Sequence, residues 1–275
     1  MLCYRPAFEV YVYRLLKELH DDNVMYTELR GTFMPLYELN GTVYDTGVFF
    51  EIFIRTVENF KKDHPDFLGV RYIHSIYRGV TPEVLKNGLD ELIGWKNTYP
   101  DFIAGFDFEL LEAGKDLKFF FHAGETNWQG NTDLNLVDAV LLNSSRIGHG
   151  FALAKHPLLT ELVKTRGVAI EVCPISNQVL MLSEDHRNHP GAYLIANGVP
   201  VVVGNDDPSA WGASGLSYDW YVVFMAMTPE DAGLEVLKRF AIDSINYSAM
   251  TSEEKSLAME KWNSDWQKFL REVPT

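Results

Sequence analysis

The chain is poor in the residues that mark several whole classes of protein. It has two cysteines, Cys3 and Cys173, in 275 residues, so no disulfide framework, CxxC pair or zinc-ribbon spacing can be drawn. Cys173 stands in an apolar strand context and reads as a plain buried thiol. Positive charge is scarce, with 24 Lys and Arg against 38 Asp and Glu and a formal net charge of -14. That balance argues against a nucleic-acid footprint, which needs clustered cations against phosphate, and favours a neutral or cationic small molecule. No run of eighteen apolar residues offers a membrane span, and the opening MLCYRPAFEV lacks the basic, apolar and small-residue sections of a secretory leader. Low-complexity linkers and internal repeats are also missing, which points to a single domain over residues 1–275.

What is present is a repeating unit. Phe8, Val12, Leu15, Leu16 and Leu19 follow helical spacing between Pro6 and His20. From there short apolar strands alternate with helices. The strands expected from pattern are 24–29, 68–76, 102–108, 118–122, 146–148, 168–173 and 200–205. Helices are expected over 133–142, over 157–166 closed by Gly167, and over 191–196 closed by Gly198. A last helix opens on Thr251-Ser-Glu-Glu254, a capping-box spelling, and carries Trp262, Trp266, Phe269 and Val273 on one face. Strict β/α alternation means a parallel sheet, and at this length it predicts a (β/α)8 TIM barrel in which one strand is not accounted for.

In such folds chemistry sits where the strands end. Four consecutive strands end in reactive side chains: His122-Ala-Gly-Glu125, Arg146-Ile-Gly-His149-Gly150, Glu171-Val-Cys-Pro-Ile-Ser-Asn177 and Asn205-Asp206-Asp207-Pro208. Each has a structural explanation by itself. A strand-end His is commonly a hydrogen-bonded core group, a loop Glu a solvated one, and Asp-Asp-Pro a helix-capping turn. Their recurrence at one rim points instead to a shared pocket. His and Asp suit zinc, whose open coordination position lowers the pKa of water to about 7, with further carboxylate and imidazole groups to move protons. The zinc site of the cytidine-deaminase type, with His/Cys/Cys ligands and a PCxxC element, cannot be built from these cysteines.

HAGET, RIGHG, EVCPISN and DDP, in this order and spacing, closely resemble the adenosine deaminases, and GFALAKHP, EVCPISNQVL, RNHP and GLSYD resemble their secreted, growth-factor-like branch. The resemblance runs from about Pro6 onward. It implies His122 as a zinc ligand, Glu125 as the proton donor to purine N1, and His149 as the group orienting the attacking water. Asp206 would bind zinc and that water, Asp207 would hydrogen-bond N7, and Trp128 would wall the pocket. The implied reaction converts adenosine, and 2′-deoxyadenosine, to inosine and ammonia. The branch also implies a homodimer, though its dimerising segment is not found here, and an extracellular glycoprotein. The sequons at Asn40, Asn143 and Asn246 agree with that. Arg146 and Glu171 read as a structural ion pair beneath the site.

Three departures from the family pattern stand out. The His-x-His pair of the family's first strand is absent, since none of the eight histidines stands two residues from another. That strand would precede Met1, which matches the count of seven and leaves His122 and Asp206 as zinc ligands. His186 and His189 read as surface or structural groups. Residues 109–117 are too short for a parallel crossover with its helix, and Leu110 stands where the family has a glycine against purine N3. Asn205 replaces a Ser or Thr. These departures suggest a shortened chain whose deamination is impaired. A catalytically inactive binding or growth-factor isoform is the alternative, and another purine or AMP deaminase the third reading.

Overall fold

A computed structural model describes residues 2–77, 79–107 and 118–272. Its seven strands form one parallel sheet in sequence order: β1 (Tyr26–Gly31), β2 (Gly69–Ser75), β3 (Ile103–Asp107), β4 (Lys118–Ala123), β5 (Arg146–His149), β6 (Ala169–Val172) and β7 (Val201–Val203). All six neighbouring pairs are parallel. Each strand lies within two residues of the stretch expected from sequence. Among the described residues β1 and β7 do not pair with one another, so both keep an open edge. The β3–β4 connection, with Leu110 and the short 109–117 stretch, lies outside the described residues.

The sheet is curled, as two ion pairs across its concave face prove. In a flat sheet with about 4.8 Å between strands, β1 and β6 would stand roughly 24 Å apart. Yet Arg30 on β1 reaches Glu171 on β6 at 3.0 Å, and Arg146 on β5 reaches Glu28 on β1 at 2.5 Å. Arg146 also bonds Glu171 at 2.7 Å, which is the pair expected from sequence. The concave face is therefore a barrel interior. Burial alone would disfavour these charges, but each carboxylate faces guanidinium, and Glu171 is held well below the usual carboxylate range.

Helices cover the outside. α1 (Arg5–Asp21), α2 (Thr46–Asp63) and α3 (Pro82–Thr98) pack on β1 to β3 through a core rich in phenylalanine. α4 (Asn135–Leu141), α5 (Pro157–Arg166), α6 (Pro174–Val179), α7 (Gly191–Ala196), α8 (Ser217–Met227) and α9 (Leu234–Asn246) follow, the second half being packed around Phe121, Ile147, Ile170 and Val201. Alternation along β4 shows how one greasy run serves two purposes. Phe121 and Ala123 join this outer core, while Phe120 packs with Ile73, Ala104 and Ala249 and lies 4.4 Å beneath the Arg146 guanidinium. His122 shares the inner face with Phe120.

The last helix, α10 (Ser252–Glu272), starts as its spelling predicts. The Glu254 carboxylate accepts from Thr251 N–H at 2.6 Å, and Thr251 Oγ1 accepts from Glu254 N–H at 3.2 Å. Trp262, Trp266 and Phe269 stack in turn along one face, whereas Val273 lies outside the described residues. The loop before α10 plugs the lower end of the barrel. Arg146 donates to Tyr247 O, Arg71 to Ala249 O, and Ala249 N–H donates to Glu28.

Removing one partner of this buried network leaves charge without compensation. Arg146→Leu leaves Glu28 without its guanidinium partner and Glu171 with Arg30 alone, and is expected to cost about 3–5 kcal/mol in urea unfolding. Arg55→Leu, at an exposed pair with Glu9, is expected to cost at most about 1 kcal/mol.

Candidate active site

The upper ends of β3 to β7 bring the sequence's reactive groups together. His122 ends β4 beside Gly148 of β5, and a Cβ on Gly148 would stand 3.1 Å from the imidazole, so a larger residue there would push the ring aside. Asp107, at the end of β3, clamps His122 twice: one carboxylate oxygen accepts the backbone N–H at 2.8 Å and the other is bonded to ring Nδ1. Burial opposes ionisation of Asp107, but the His122 bonds and the Arg30 guanidinium hold its pKa below the ordinary value. A carboxylate on Nδ1 fixes the ring and leaves Nε2 as the atom suited to ligation, the arrangement metal-bound histidines adopt.

His149 closes β5 and is buried, its ring 5.2 Å from that of His122. Its Nε2 lies 3.3 Å from Glu125 Oε1 and 4.0 Å from Asp206 Oδ2. One ligand-type atom from each of Glu125, His149 and Asp206 falls within 4.8 Å of the others. Burial and the neighbouring His122 lower the His149 pKa to about 4, so the ring is neutral at neutral pH. Asp206 sits at a turn after β7, its carboxylate accepting from Ser176 Oγ at 2.5 Å. Burial and the Asp206 charge raise the pKa of Asp207.

His149 and Asp206 share another property. Their φ values are +60° and +53°, a conformation that non-glycine residues adopt at a cost of about 1–3 kcal/mol each. The same conformation occurs at Asn23, Asn143 and Met181, but at His149 and Asp206 it turns the chain where two strands end at the rim. Both residues line a cavity of about 1690 Å³ that also takes in His122, Asp207, Arg30 and Glu171 and continues along the gap between β1 and β7.

The structure brings His122, Glu125, His149, Asp206 and Asp207 to one rim, as the sequence pattern leads one to expect. It does not bring Trp128 there: that side chain is 75% exposed and does not line the cavity. His189 is not a surface group, being 3% exposed and bonded to Asn177. Asp107 and Ser176 contact the site residues His122 and Asp206, and His189 reaches His149 through Asn177; none was assigned a role from sequence, because their partners lie 15, 30 and 12 residues away. Ser176, inside the EVCPISN block, and His189, inside the RNHP block, stood in stretches that carried the resemblance; Asp107 did not.

Zinc fits this donor set in kind but falls short in number. His122, clamped through Nδ1, and the Asp206 carboxylate are two protein donors, where catalytic zinc keeps three or more. Glu125 and His149 each bring a ligand-type atom within 4.8 Å of the other and of Asp206, but the resemblance gives them proton donation and water orientation instead of ligation.

The Asp219 carboxyl in α8 is buried near Asp206. One oxygen accepts from Ile175 N–H at 3.2 Å, and the other has no hydrogen-bond partner among the described residues. Burial pushes its pKa up to about 7. The native chain therefore keeps a proton that the unfolded chain releases near pH 4, so this group costs stability as pH rises from about 4 to 7. Asp219→Asn removes that cost. Its stability relative to the parent is expected to increase by about 2 kcal/mol between about pH 5 and pH 8 in urea titrations.

Comparison with known proteins fits this geometry. The family model for adenosine deaminase matches residues 1–263. An adenosine deaminase of Phlebotomus duboscqi is 45% identical over 291 aligned positions, covering 100% of this chain and 56% of that protein. Human adenosine deaminase 2 is 41% identical, covering 100% of this chain and 58% of that protein. The chain thus spans little more than half the length of these relatives. Among solved structures, an amidohydrolase from Burkholderia ambifaria with bound Zn superposes with a TM-score of 0.74 at 20% identity, over 98% of this chain and 76% of that one. An Arabidopsis protein, ADAL, complexed with GMP gives 0.75 at 18% identity, over 94% and 77%. These neighbours share the barrel fold, and the sequence matches settle the lineage: the chain belongs to the adenosine deaminase family.

Proposed function

We propose that this site carries out hydrolytic deamination of adenosine, and of 2′-deoxyadenosine, to inosine and ammonia. The observation that carries this reading is the convergence of Glu125, His149 and Asp206, from three different strand ends, to within 4.8 Å. His122 and Asp206 would hold zinc, which when bound polarises water for attack. The remaining steps belong to the chain's own groups. Glu125 delivers a proton to purine N1, making C6 electrophilic. His149, neutral and buried, orients the attacking water through Nε2. Asp206 accepts a hydrogen bond from that water. Asp207, whose pKa is raised by burial and the Asp206 charge, forms the hydrogen bond with N7. Of the two protons on the added water, one restores Glu125 and the other passes to the amino group, which leaves as ammonia while the C6 oxygen takes up its carbonyl form.

The two-donor metal site favours a second reading, in which the chain binds a purine without turning it over efficiently. Ammonia release from adenosine by the full chain, with zinc titrated in, separates the two. Zinc-dependent release that falls by at least about 10²-fold in Glu125→Ala is the expected outcome for the enzyme reading. No release at any zinc level from a folded sample contradicts it.

An extracellular location is part of the same proposal. Asn40, Asn143 and Asn246 are all exposed, so each sequon has room for a glycan. On passage through a eukaryotic secretory pathway the chain is expected to gain mass that glycosidase treatment removes, and replacing the three asparagines by Gln is expected to abolish the gain.

A further inference from the structure

His149 has two ring nitrogens, and what it can do in the site depends on which one carries hydrogen. The surrounding bonds decide this. Gly191, the first residue of α7, donates its backbone N–H to His189 Nδ1 at 2.9 Å. A backbone N–H can only donate, so His189 Nδ1 must carry a lone pair. Burial keeps His189 neutral, its pKa lowered to about 4, and the proton therefore sits on Nε2. That nitrogen lies 2.9 Å from Asn177 Oδ1 and donates to it. The other end of the same amide, Nδ2, lies 3.2 Å from His149 Nδ1. An amide nitrogen likewise only donates, so His149 Nδ1 accepts. The hydrogen of His149 is left on Nε2, the atom that faces Glu125 and Asp206.

Turning the Asn177 amide over does not rescue the opposite arrangement. Asn177 Nδ2 would then point at His189 Nε2, and His189 would have to accept at both nitrogens, which requires an imidazolate. One backbone N–H thus sets the direction of three successive hydrogen bonds. All three are buried, so water does not compete for them.

We propose that His189 and Asn177 are positioning residues that hold His149 in its Nε2-protonated form, so that the site is presented with an N–H donor rather than a lone pair. The two carboxylates then meet a donor, and an attacking water would be oriented through its oxygen. The catalytic consequence rests on the deaminase reading, but the tautomer itself does not.

The test is two-bond hydrogen–nitrogen correlation NMR of the full chain labelled with nitrogen-15 histidine, at neutral pH without metal or substrate, with His149→Gln used to assign the ring. A pyridine-type Nδ1 and a protonated Nε2 are expected for His149. The reverse tautomer, or an imidazolium, overturns the proposal. Asn177→Asp sets an acceptor against His149 Nδ1 and is expected to move the proton there; an unchanged spectrum in the folded variant overturns the role of Asn177. Should the added carboxylate prevent folding, His189→Gln and His189→Phe replace it. Gln keeps a donor toward Asn177 and is expected to preserve the His149 pattern, whereas Phe removes that donor and is expected to give both tautomers. Identical patterns in these two variants overturn the role of His189. Because the ring nitrogens are observed directly, a chain inactive on adenosine still distinguishes the two tautomers.

Discussion

Four charges inside the curl, largely shielded from solvent, hold the sheet in its shape. Glu28 and Arg30 on β1, Arg146 on β5 and Glu171 on β6 pull opposite parts of one sheet into contact. With β1 and β7 unpaired among the described residues, no hydrogen-bond ladder closes the barrel on that side. Side-chain charge does so instead. The pairing is also geometrically specific, since guanidinium forks accept only certain directions of approach, and so it fixes where each strand end stands.

That placement passes upward to the rim. Arg30 bridges Glu171 and Asp107, and Asp107 in turn clamps His122. The charged interior and the reactive rim are therefore one connected structure. Above it, the short helix α6 presents two consecutive side chains to the site, Ser176 to Asp206 and Asn177 to His149. The backbone strain at His149 and Asp206 persists because these contacts hold the side chains from several sides at once.

Much of this was legible in the sequence because the signals were local. Strand β4 could be found from Phe119-Phe120-Phe121, its reactive end from His122 and Glu125, and the start of α10 from the Thr251 and Glu254 spelling. Gly167 and Gly198 marked helix ends, and both adopt positive φ in the structure. What stayed hidden was long-range. Nothing local tells Arg30 that it meets a carboxylate 141 residues away, or marks His189 as buried. Helix α8, SYDWYVVFMAM, has no polar face to give it a period, and so could not be delimited by pattern. The Trp128 position shows the limit of resemblance: a matching residue in a matching block still lies exposed outside the cavity here.

In the proposed site the two rim histidines divide the labour: His122, with Asp206, would hold zinc, while His149 would stay a hydrogen-bond donor. X-ray absorption at the zinc edge, on the full chain loaded with one equivalent of zinc, distinguishes them. A single imidazole in the coordination shell, the rest oxygen, is predicted, with loss of that imidazole in His122→Ala. A shell with two or more imidazoles, or one that His122→Ala leaves unchanged, would contradict this division.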